Sequence, residues 1–159
     1  MIQRIQSVFL LVAAIVTIIL LFIPIGEIYT TNDGGFQYTF TCFNVHLPDG
    51  KVVMSTLYIA LTLIVSACIS IYAIFKYKDR MKQTRIVSFN MLVFLIAIMM
   101  MIWLFPDFIF QRKGLMQDGD VFRFNYWIMI FVLPPVCMFL ANRFIRKDER
   151  LVRSADRLR

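Results

Sequence analysis

At 159 residues the chain has room for one domain, and 60% of it is hydrophobic, including sixteen Phe and ten Met. Soluble domains run at about 45–50% apolar, and a soluble core of this size cannot hide so many large side chains, so a membrane is the expected solvent. The net charge of +7 would direct a soluble protein to nucleic acid; in a membrane protein Lys and Arg are sorted by side, so position matters more than sum.

The start, Met1 to Gln6, is polar and carries Arg4. Residues 7–25 then hold no charge, and as a helix they reach about 28 Å, close to the roughly 30 Å of a hydrocarbon core. The run is longer than the apolar part of a secretory signal, and Ile23-Pro24-Ile25-Gly26-Glu27 offers no small-x-small cleavage site, so a retained first span is expected, with Ser7 as N-cap. The loop from Glu27 to Lys51 carries a turn signal at Asn32-Asp33-Gly34-Gly35 and alternates apolar and polar residues over Phe36-Gln37-Tyr38-Thr39-Phe40-Thr41-Cys42. It reverses at Pro48-Asp49-Gly50. That pattern predicts a short strand or hairpin.

The second span is expected over 52–75, with Ser66, Ala67, Ser70 and Ala73 forming a stripe of small residues where another helix can approach. The basic run Lys76 to Arg85 follows as a hinge. The third span, 86–105, contains Met99-Met100-Met101; consecutive positions point three ways round a helix, so these methionines suit packing rather than a metal path. In the second loop, Phe108-Ile109-Phe110 and Val121-Phe122-Arg123-Phe124 flank Gln117-Asp118-Gly119-Asp120, a hairpin signal. The two loops are expected to pair into one small sheet. The fourth span covers 124–142, with Pro134-Pro135 expected to kink it. The tail, 143–159, lacks Gly and Pro and reads as a basic helix, either lying on lipid or docking a partner.

Charge fixes the orientation. One cation lies in the N-terminal stretch, five in 76–85 and seven in the tail, against four in the two loops. The positive-inside rule then places both termini and the hinge in the cytoplasm.

Catalytic chemistry finds little footing. No charged residue interrupts a predicted span, and there is no P-loop, HExxH, GxSxG or CxxC, so an enzyme, a cofactor and nucleic-acid binding are not expected. Cys42, His46 and Asp49 bring three ligand types within eight residues, but beside a Pro-Asp-Gly turn they read as a surface imidazole and a turn aspartate rather than a zinc or copper site. Three distant cysteines, Cys42, Cys68 and Cys137, form no disulfide framework.

The start Met1-Ile2-Gln3-Arg4-Ile5-Gln6-Ser7, the apolar spans and the end from Ile145 to Arg159 resemble a domain-of-unknown-function family of small bacterial inner-membrane proteins. That resemblance implies an inner-membrane location and brings no activity, cofactor or catalytic residue. The layout is also similar to that of claudin-like proteins, whose paired outer cysteines are absent here.

The expectation is therefore an all-α membrane protein: a four-transmembrane-helix bundle with strand-like hairpins in the two extracytoplasmic loops and a single domain over 1–159. Its expected role is a non-enzymatic accessory or scaffold subunit of a larger membrane complex, the alternative being a small transporter or lipid-handling protein. Expected partners are the bilayer, anionic lipid headgroups on the cytoplasmic face, and a membrane protein or further copies of the chain. Arg146, Lys147, Arg150 and Arg153 on the tail, with Phe36, Tyr38 and Phe40 on the outer strand, are the expected contact residues; no metal or cofactor is expected.

Overall fold

The computed structural model describes residues 2–29, 36–77, 79–102 and 121–157, with side chains from 5–29, 38–77, 79–102 and 121–152. In chain order it contains α1 (Ile2–Leu20), β1 (Gly26–Tyr29), β2 (Phe36–Phe40), β3 (Asn44–His46), β4 (Val52–Ser55), α2 (Leu57–Phe75) and α3 (Arg80–Met99). These are followed by β5 (Val121–Phe124), a 3-10 segment (Tyr126–Val132) and α4 (Leu133–Arg157). The expected all-α, four-span bundle is overturned. The chain joins its helices to a five-stranded antiparallel sheet in the order β4-β3-β2-β1-β5. Among the described residues three helical stretches, Leu57–Phe75, Arg80–Ile102 and Tyr126–Val152, are long and apolar enough to cross a membrane, whereas α1 is apolar over the shorter Ile5–Leu20.

The helices pack in a ring, α1 against α2 and α4, and α3 against α2 and α4. Small residues line the contacts: Ala13, Ala60, Ala97 and Ala141 are buried, so helix backbones can come close. The outer faces are apolar as well. Ile15 and Val8 on α1, Leu61 and Ile71 on α2, Phe89 and Leu92 on α3, and Val136 and Phe139 on α4 are all exposed. Helices that are hydrophobic all round lie in lipid, and the chain is a membrane protein.

The sheet closes one end of this ring. Ile25, Ile28, Phe40 and Val45 belong to one continuous core with Leu20, Leu21 and Ile59. The second loop joins the first through β5, which pairs along the whole of β1 from Gly26↔Phe124 to Tyr29↔Val121. Gly26 leaves room for the Phe122 ring over that pairing: a Cβ there would stand 2.5 Å from Cζ of Phe122. The Phe122 ring in turn meets Phe124 edge-on at 4.8 Å and Phe40 at 6.3 Å.

Element boundaries differ from the sequence expectation for identifiable reasons. Helix α1 starts at Ile2 and ends at Leu20, so Ser7 is interior and not a cap. Residues 21–25 leave the helix because Ile25 N–H donates to Phe40 O at 2.8 Å and the chain joins the sheet. Val52 to Ser55 form strand β4 rather than the first turn of a span, and Thr56 then anchors the junction by donating its hydroxyl to Thr41 O at 3.0 Å. Helix α3 begins at Arg80, inside the basic run, and its Asp79 pairs with Lys82 at 3.0 Å. Pro134 and Pro135, where a kink was expected, stand inside the continuous helical stretch Tyr126–Val152, at the point where the 3-10 segment passes into α4; neither has an amide donor to offer at that change of helix type. The Phe108–Phe110 half of the second expected hairpin lies outside the described residues.

Candidate functional site: a pinned helix with a cationic outer face

At the end away from the sheet, three distant parts of the chain meet on α4. Gln6 of α1 donates its side-chain amide to Oδ2 of Asp148, and Arg80 of α3 donates from Nη1 to the Asp148 carbonyl at 3.3 Å. Phe9 stacks on Phe144 with ring centroids 5.6 Å apart and planes within 9° of parallel. Asp148 is buried, as are Ile145 and Ala141; spacings of three and four residues put them on one face of the helix. The start of α1, the start of α3 and the later half of α4 therefore occupy the same end of the molecule.

That end is secured by further polar contacts between helices. Gln83, buried on α3, donates to Ala73 O in the last turn of α2 at 3.0 Å. One stretch further along α3, Asn90 donates to Ser70 Oγ at 2.7 Å, and Asn142 of α4 donates to Ser88 Oγ at 2.9 Å. In lipid such bonds hold helices together because the alternative is an unpaired polar group. Ser66, Ala67, Ser70 and Ala73 are all buried, so the small-residue stripe of α2 is packed.

The outward face of the same α4 segment has the opposite character. Arg143, Arg146, Lys147 and Arg150 are exposed and line an open groove of about 1000 Å³ along the helix. Phe139, Leu140 and Phe144 form its apolar wall. Among the described residues Lys82 pairs with Asp79, and no ion pair is seen at the four groove cations. Asp148, the acid nearest in sequence to Lys147, is turned inward to Gln6.

The expected contact residues are placed as follows. Arg146, Lys147 and Arg150 come together in this groove, while the side chains of Arg153 and Phe36 lie outside those described. Tyr38 is half-buried against the core, and Phe40 is 1% exposed, so Phe40 is a core residue rather than a surface contact. Sequence reasoning missed Arg143 and Phe139, although Arg143 stands three and four residues before Arg146 and Lys147 and thus shares their helical face.

Cys42, His46 and Asp49 do not converge. The Cys42 thiol is fully buried and donates to Leu20 O at 3.4 Å; burial pushes its pKa up to about 12. His46 lies in β3, where it pairs with Thr39 and Val52, and Asp49 is exposed in the following turn. Among the described residues no group of three or more His, Cys, Asp or Glu side chains is gathered as a metal would need.

A family model described as a domain of unknown function, DUF4293, matches residues 2–158. The chain belongs to the DUF4293 family. No curated protein matches it. The DUF4293 match covers the sheet, the helices and the cationic half of α4 together, so both ends of the molecule fall within the family's own bounds.

Proposed function

We propose that this DUF4293 protein is a non-enzymatic accessory or scaffold subunit of a larger assembly in the bacterial inner membrane. Its sheet lies on the outer side and the Gln6–Arg80–Asp148 end, with both termini, in the cytoplasm. The orientation is supported by the cations: Arg80, Arg143, Arg146, Lys147 and Arg150 all belong to the end opposite the sheet, as the positive-inside rule favours.

The observation that carries the scaffold reading is the β4 rim of the sheet. Strand β4 is an edge, pairing with β3 alone among the described strands. It presents Val52 and Val53 at 61% and 40% exposure. An edge with unpaired backbone groups and bare valines is a template for a further strand or an apolar partner surface. The interior polar groups support the same reading, since Asn90, Gln83 and Asn142 tie one helix to another.

A photo-crosslinking residue at Val53, followed by mild-detergent purification from native membranes, tests this. The expected result is a stoichiometric crosslink to a membrane protein. A clean, uncrosslinked monomer from membranes at native expression overturns the scaffold reading.

A further inference from the structure

We infer that the groove along α4 is a binding site for one anionic phospholipid of the cytoplasmic leaflet. Its phosphate would sit among Arg143, Arg146, Lys147 and Arg150, and the upper part of an acyl chain would lie against Phe139 and Phe144. This goes beyond the scaffold reading, which rests on the other end of the molecule.

Three observations select this occupant. First, the groove is amphiphilic along its length in the sense a lipid demands. Helix α4 is apolar from Leu133 to Ala141, and Arg143 is its first cation, so the hydrocarbon boundary falls at the groove itself. Phe139 to Arg150 spans about 16 Å of helix axis, enough to run from upper acyl chain to headgroup.

Second, four exposed cations share this face within two turns, with no ion-pair partner among the described residues. Repulsion among them is relieved by an anion, and arginine forks suit the oxygens of a phosphodiester. Third, the face is held in place. Asp148, directly behind the cations on the same helix, is bonded through its side chain to Gln6 and through its carbonyl to Arg80. Phe144 is held by its stack on Phe9. A helix fixed on its inner side presents its outer cations without an ordering cost at the moment of binding.

An acidic protein segment would satisfy the charges but has no use for the apolar wall at bilayer depth. Basic pockets beside membrane helices on the cytoplasmic side commonly take anionic headgroups.

The test uses the full chain in nanodiscs of phosphatidylcholine doped with phosphatidylglycerol, with bound lipid counted by native mass spectrometry. The variants are Arg146→Gln/Lys147→Gln, both positions being exposed, and Arg143→Gln/Arg150→Gln. Lys82→Gln serves as the control cation outside the groove. The expected result is one retained phosphatidylglycerol, lost at least tenfold in either double variant and kept in Lys82→Gln. Phe139→Ser, which leaves every charge in place, should also weaken retention.

Equal retention in the double variants and the parent overturns the proposal. So does full displacement by millimolar inorganic phosphate, which would make the groove a simple anion site. Release of a co-purifying protein by the double variants, with retained lipid unchanged, would assign the groove to a protein partner instead. A change in the Val53 crosslink bears on the scaffold reading alone.

Discussion

At the sheet end, Ile25, Ile28, Phe40, Cys42 and Val45 are buried to within 1%, and strands from two separate loops close on one another through the Gly26–Phe122 contact. At the opposite end a single helix carries its charges outward and is held by a small set of contacts from Gln6, Phe9 and Arg80. The first region is stabilised by shape: its residues touch apolar neighbours on all sides, and each contact depends on the others. The second is a platform, with a fixed inner face and an outer face free to change. Substitutions should therefore be felt at the sheet end wherever they fall on the core, and at the helix end only on the side that faces the bundle.

The largest effect belongs to the sheet. Phe40 packs at 1% exposure against Phe122 and the core beneath, so Phe40→Ala should cost about 3–5 kcal/mol through lost burial and the cavity left behind. Thermal unfolding in mild detergent reads this as a lowered midpoint. If Phe40→Ala melts with the parent protein, the sheet is not the closed, interdependent region described above.

How much of this was legible in the sequence differs between the same two regions. Hydropathy located the apolar runs but could not say which face lipid and which face a sheet. Leu21, Ile25 and Val52 are as apolar as any span residue, yet Leu21 and Ile25 are buried in the core shared with the strands and Val52 is an edge-strand residue. The β-branched pair Val52-Val53 ahead of Thr56 was the local clue to a strand; within a long apolar run, period alone does not separate the two. The alternation of Phe36 to Cys42 did carry the β2 signal, because one face of that strand is buried. On α4 the cations repeat at helical spacing and could be read directly. The inner-face contact could not, since Gln6 and Asp148 are separated by 142 positions and no local pattern links them. The two prolines were legible as a disturbance inside the last helical stretch, and they stand where its 3-10 segment passes into α-helix.

A smaller effect tests the inner face of the platform. Gln6→Ala removes the side-chain donor to Asp148 and leaves a buried carboxylate oxygen unpaired, at a cost of about 1–3 kcal/mol. Asp148→Asn keeps an oxygen to accept from Gln6, so it should fall nearer the parent. Paired melts of the two variants check the ordering. If Arg146→Gln lowers the midpoint as much as Gln6→Ala does, the difference between inner and outer faces of α4 disappears.

The last effect is the smallest in stability near neutral pH and the most direct as a contrast of closed with open. Thiolate, not thiol, reacts with maleimide, and Cys42 has its pKa raised by burial from the ordinary 9.0 to about 12 while donating to Leu20 O. In a chain with Cys68 and Cys137 replaced by Ala, Cys42 should stay unlabelled at pH 8 when folded and label fully in denaturant. Arg146→Cys, added to a chain in which Cys42 is also Ala, should label rapidly under the same conditions. The pH dependence follows with a definite sign. The folded state favours the neutral thiol, so this contribution to stability is present in full below about pH 9 and is lost as pH rises toward about 12. The unfolding midpoint of the parent should therefore fall over that range more steeply than that of Cys42→Ala. Rapid labelling of folded Cys42 at pH 8 would mean that the sheet end opens to solvent as readily as the outer face of α4.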